Sequence, residues 1–136
     1  MRVAQITKVS MLLLFVGVSG AWAQAQPSTQ TATQFYLDYR KAFDKATKIE
    51  DVLPFMAAKN RKQVEDTPKA DRPKMFEFMK MVTVTGVKVL KEDHLADGSA
   101  VLTAEAIGPD KKKQTGKITI LKEGGAWKIG EENWSS

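Results

Sequence analysis

From Thr33 onward, apolar side chains recur at Tyr36, Tyr39, Phe43 and Ala46, with Phe35 and Ala42 widening the stripe. This is the spacing of one helical face. Thr47 followed three residues later by Glu50 has the capping-box pattern, and Ile49, Val52, Leu53 and Met56 then predict a second helix. Pro54 must kink that helix or lie in its first turn. The charged stretch Ala57 to Glu65 continues as helix until Asp66-Thr67-Pro68 breaks it. Asp71 ahead of Pro73 starts a third helix, with Met75, Phe76 and Met79 as its buried side and Phe78 a candidate addition.

At about Met81 the period changes to two. Val82 and Val84, then Val87 and Val89, alternate with polar residues, but the two pairs are out of phase. A bulge at Gly86 restores the phase, keeps both valine pairs on one face and predicts a strongly curved first strand. Ala96-Asp97-Gly98 is turn chemistry, Ala100 to Ile107 the next strand, and Gly108-Pro109-Asp110 its end. Gln114 to Lys122 reads as a third strand. Gly124-Gly125 makes a tight hairpin into a last strand at Ala126-Trp127-Lys128-Ile129, running toward Trp134.

Helices first and antiparallel strands afterwards predict an α+β fold: N-terminal helices packed on a curved, cone-like antiparallel sheet of about four strands. One domain is expected over residues 33–136, since the sequence holds no internal repeat and no dividing linker. Residues 26–32 read as the polar, disordered start of the mature protein.

Residues 1–25 read as a cleaved signal peptide. Arg2 and Lys8 supply the positive segment, Met11 to Val16 the apolar one, and Ala21-Trp22-Ala23 or Ala23-Gln24-Ala25 the small residues for cleavage. The apolar run is too short to span a bilayer, so a periplasmic or secreted location is expected. The absence of cysteine excludes an acylated lipoprotein, a disulfide scaffold and a thiolate site. The formal net charge of +5 is reduced when Arg2 and Lys8 leave, and the remaining bases are spread over Lys59, Arg61, Lys62, Lys69, Arg72, Lys74 and Lys111-Lys112-Lys113. An exported, mildly basic chain is not expected to meet nucleic acid. Weak attraction to anionic envelope surfaces is the role left for that charge.

The order of signal peptide, two or three amphipathic helices and hairpin-connected strands ending in Gly125-Ala126-Trp127-Lys128-Ile129 resembles the nuclear transport factor 2-like superfamily of cone-shaped domains. Cystatin-like packing of a helix on a sheet is the nearest rival. The superfamily often has a short strand between its second and third helices, for which Lys62 to Lys69 offers no apolar alternation. It includes ketosteroid isomerase-like and dehydratase-like enzymes as well as small-ligand binders, so the fold alone does not choose a function. The enzymes place an acid inside the cone, often with a histidine or tyrosine. None of their catalytic positions is matched here residue by residue.

Chemistry-bearing candidates are few. His94 is the only histidine, which excludes a paired-histidine metal site, and it reads as an exposed turn residue. Glu105 is the one acid inside an apolar strand. It is buried if Val101, Thr103 and Ile107 line the core and exposed if Leu102, Ala104 and Ala106 do. Met56, Met75, Met79 and Met81 read as adaptable core filler rather than a soft-metal site. Glu131 and Glu132 read as a solvated acidic end. Tyr36, Tyr39, Phe43, Phe76 and Trp127 either fill the core or line a pocket between helices and sheet. The expected ligand-binding set is Tyr36, Tyr39, Phe76, Met79 and Trp127, with no metal and no cofactor. No phosphate loop, nucleophile triad or zinc spacing is present.

The leading expectation is a non-catalytic exported domain that binds a small apolar ligand or a protein partner. The competing ones are a small lyase or isomerase using Glu105 and a basic envelope-surface binder. A homodimer through the outer sheet face is also compatible, with Thr83, Thr85, Thr103 and Thr119 as a partly polar strand surface.

Overall fold

The computed structural model describes residues 30–136. The expected signal peptide and most of the expected disordered segment lie outside the described residues. Gln30, the first described residue, lies inside that expected segment and is tied to the fold. Its backbone carbonyl accepts a hydrogen bond from Trp127 Nε1 at 2.7 Å and its side chain donates to Asp38.

Helix α1 spans Ala32–Lys45, and the amphipathic stripe is its buried face: Ala32, Phe35, Tyr36, Tyr39, Arg40 and Phe43. Thr31 and Gln34 form a reciprocal capping box at its start. No acidic residue lies in its first turn. Glu92 supplies that charge from the sheet, accepting from Thr33 N at 2.9 Å and Thr33 Oγ1 at 2.6 Å. At the other end Lys80 Nζ reaches the carbonyls of Phe43 and Asp44.

The second predicted helix is instead two 3-10 turns, Ile49–Asp51 and Leu53–Phe55, with Pro54 in the second. Asp51, not Glu50, caps the first turn, accepting from Thr47 N and Lys48 N. Proline removes a donor that a continuous α-helix needs, so the apolar residues take the tighter form. Helix α2 follows at Ala58–Asp66, and a further 3-10 turn, Lys69–Asp71, leads into helix α3, Arg72–Val82, with Pro73 in its first turn. Phe76 is its buried residue. Met75 and Met79 are half-buried, and Phe78 is 60% exposed, outside the core.

Four strands form an antiparallel meander in sequence order: β1 Thr85–His94, β2 Ala100–Ile107, β3 Lys113–Glu123 and β4 Ala126–Ser135. The helix continues through Val82, which is exposed, so the strand starts later than the valine pattern implied. Thr83 caps the helix rather than lying on a strand. The bulge at Gly86 is present: pairing with β2 slips between Thr85 and Lys88, and Gly86 has φ 63°, which glycine adopts without strain. It leaves Val87 and Val89 packed against the core. A second slip follows at Val89/Lys91, so β1 bends twice. At the β3–β4 hairpin, Gly124 and Gly125 both have positive φ, as a tight two-residue turn demands.

Ala100, Leu102, Ala104 and Ala106 of β2 face the helices, together with Ile118 and Ile120 of β3 and Trp127 and Ile129 of β4. Small alanines bring the helix layer close to the sheet, and an aromatic chain fills the space above them. Phe35 and Tyr39 each pack on Phe55, Tyr39 on Phe43, and Phe43 on Phe76, with ring centroids 5.6–6.1 Å apart. The core is therefore largely filled at this end of the molecule.

Candidate functional site

A third bulge shapes the site. Ile129 pairs with Ile120 and Glu131 with Thr119, leaving Gly130 as the extra residue of β4. Unbroken alternation from Ile129 places Glu131 and Asn133 inward. The bulge reverses this: Glu131 and Asn133 are exposed, whereas Glu132 and Trp134 turn toward the helices. Only glycine fits there without displacement, because an added Cβ would stand 2.9 Å from Leu121 Cγ and 3.1 Å from Thr119 O. Asn60 of α2 spans the irregularity, donating from Nδ2 to the carbonyls of Ile129 and Gly130. Ala57 N also donates to Ile129 O, at 2.9 Å. Three hydrogen bonds thus fasten α2 and the segment before it to the bulge.

Glu132 was expected to solvate the chain end and instead enters the space between helices and sheet. Tyr36 Oη donates to its Oε2 at 2.7 Å, Trp134 Nε1 donates to the same oxygen at 3.2 Å, and Arg40 Nη1 approaches it at 3.9 Å. Trp134 is held by the open backbone of Gly116, where a Cβ would meet the indole at 2.5 Å. The guanidinium of the buried Arg40 is mainly committed elsewhere, donating from Nη2 to Val84 O at 2.6 Å and Thr83 Oγ1 at 3.0 Å. Burial, reinforced by the Glu132 charge, pushes the Tyr36 and Tyr39 phenols far above the usual tyrosine range, so both stay protonated. Tyr36 is a donor here, not a base.

Two adjoining cavities share Tyr39, Met79 and Glu132. One of about 470 Å³ is walled by Ile49, Met56, Val64, Met75 and Ile129, with the exposed Gln63 and Glu131 at its rim. The other, about 510 Å³, runs past Arg40, Phe43, Thr83 and Trp134. Apolar walls with a few converging polar groups are the usual make-up of a small-molecule site.

Of the expected ligand-binding set, the structure brings Tyr36, Tyr39 and Met79 to Glu132. It does not bring Phe76 or Trp127 there. Phe76 packs edge-on against Phe43, and Trp127 lies at the opposite end of β4, bonded to Gln30 and with its ring tilted against that of His94. Glu132, Arg40 and Trp134 were missed: the one sequence signal for Glu132 and Trp134 was a glycine inside β4, and for Arg40 it was a position four residues after Tyr36 on the apolar face of α1.

The other candidates are elsewhere. With Leu102, Ala104 and Ala106 inward, Glu105 points to the outer face of the sheet, where Lys113 Nζ binds it at 2.8 Å. That lysine, by hydrogen bond and charge, holds the Glu105 carboxyl below the usual carboxylate range. It is a surface ion pair, not a cone acid, so the lyase or isomerase reading loses its base. His94 is exposed at the end of β1, its Nε2 2.6 Å from Glu92 Oε2. Met56, Met75 and Met79 share the first cavity, while Met81 is exposed. Among the described residues no group of three histidine, cysteine or acidic side chains is placed to hold a metal. A groove of about 600 Å³ between the segment of residues 46–50 and α3 carries Lys48, Lys69 and Lys74, but its Arg72 is bound to Glu50 and its Lys80 to α1 carbonyls.

No protein-family model, curated protein or solved structure matches the chain. Among the described residues no helix is long and apolar enough to cross a membrane.

Proposed function

We propose that this protein is an exported, non-catalytic binding domain of the nuclear transport factor 2-like kind, and that a small, largely apolar ligand seats in the cleft between α2, α3 and β4. The observation that carries the proposal is the apolar cavity of about 470 Å³ ending on a carboxylate whose orientation is held by Tyr36 and Trp134. A closed core would need neither that volume nor an inward acid. The fold assignment is supported by helices lying on one face of a four-stranded meander bent by bulges in β1 and β4. Export rests on the charged, apolar and small-residue pattern of residues 1–25. A binding role fits better than acid–base chemistry, because the buried phenols are held protonated and Glu105 is on the far face.

Native mass spectrometry of the protein recovered from the exported fraction without refolding tests this. The expected spectrum carries a reproducible additional small-molecule mass that disappears under denaturing spray. A clean unliganded mass counts against the ligand, and an unliganded homodimer transfers the function to the outer sheet face.

A further inference from the structure

Building on the binding role proposed above, we infer that the ligand of the cleft is an apolar amine, an organic cation whose hydrocarbon part fills the cavity and whose ammonium group meets Glu132. The two oxygens of that carboxylate are unequal. Tyr36, Trp134 and Arg40 all converge on Oε2, whereas among the described residues Oε1 carries no hydrogen bond. Glu132 lines both cavities, so an acceptor of fixed orientation stands at their junction. A carboxylate oxygen accepts and never donates, so its partner must bring an N–H or O–H.

Charge narrows the choice. The whole chain is basic, with 21 lysines and arginines against 16 acids. The lining of the first cavity goes the other way: it includes Glu131 and Glu132 and no lysine or arginine. Arg40, the nearest base, stands 3.9 Å from Oε2, is tied to Val84 and Thr83, and balances only one of the two carboxylates. An anionic headgroup would meet uncompensated like charge. A cation would gain a charge-assisted hydrogen bond in a partly desolvated place, with Tyr39 beside it and the thioethers of Met56, Met75 and Met79 shaping themselves to the hydrocarbon.

The test is a headgroup series of constant tail: n-octylammonium, n-octanol and octanoate, titrated into the unaltered protein at neutral pH and followed by calorimetry and by tryptophan emission, to which Trp134 contributes through its bond to Glu132. Octylammonium is expected to bind about tenfold tighter than octanol, with octanoate weakest. In Glu132→Gln the ammonium preference should vanish while octanol binding persists. The inference is overturned, with the binding role intact, if octanol matches octylammonium, if octanoate binds tightest, or if folded Glu132→Gln keeps the preference. Failure of all three probes to bind at millimolar concentration would overturn the binding role and the inference together. The headgroup comparison needs no variant, so a misfolded Glu132→Gln leaves the test decisive.

Discussion

Glu92 and Glu132 are the two carboxylates that enter the space under the helices, and each is placed by neighbours far away in sequence. Glu92 anchors the N-terminus of α1 through both Thr33 donors and also meets His94. Partial burial works against its ionisation, but the bonds from Thr33 and His94 outweigh that and hold its carboxyl below the usual range. The sign follows from that depression. The contribution of Glu92 to stability is present above the unfolded-state carboxylate pKa and is lost as pH falls through the lower folded value. Glu92→Gln should therefore cost about 1 kcal/mol at neutral pH, and the difference from the unaltered protein should close as pH drops below the carboxylate range. Urea midpoints measured across that range check it; a difference independent of pH would refute the helix-anchoring charge. Neither role is legible in a linear reading, because Lys91-Glu92-Asp93-His94 and Gly130-Glu131-Glu132 look like solvated charge until their partners are brought in.

Among elements, those with a strong period were legible and those with a broken period were not. The face of α1, the span of β2 and the glycine hairpin follow the sequence pattern, because each has uniform alternation or explicit turn chemistry. The apolar run before Pro54 did not become an α-helix, because helical periodicity does not supply the missing proline donor. The bulge at Gly86 was legible because Val84 on one side and Val87 and Val89 on the other pack inward yet are out of phase, although Val82, expected on the same face, ends the helix and is exposed. The one at Gly130 was not, since the residues after it are polar and carry no phase. Gly130→Val should destabilise the protein by about 1–3 kcal/mol by forcing Leu121 and the Thr119 carbonyl apart, and should move Trp134 emission to longer wavelength as the end of β4 loosens. Chemical unfolding with fluorescence measures both. Unchanged stability and emission would mean that the bulge does not need glycine.

For the whole molecule, the layout of charge decides between a surface binder and a cleft binder. Each of the three basic clusters singled out in the sequence is partly paired, through four of their nine residues in all: Arg61 with Glu123, Lys62 with Asp66, Arg72 with Glu50 and Lys113 with Glu105. Exposed pairs of this kind add little stability, but they break up the positive field that an anionic surface would need. Sedimentation with anionic vesicles at physiological salt should therefore show no saturable binding, and saturable, salt-sensitive binding would favour the groove of Lys48, Lys69 and Lys74 instead. The sequence by itself determined the α+β order, the aromatic face of α1, the strand count and the want of thiol or paired-histidine chemistry, because periodicity, turn residues and composition are local properties. Which face of the sheet is covered, and therefore that Glu105 looks outward and Glu132 inward, was decided only by the tertiary structure. The facing of a strand depends on its register against neighbours and on one extra residue in a bulge, and neither exists until the strands pair.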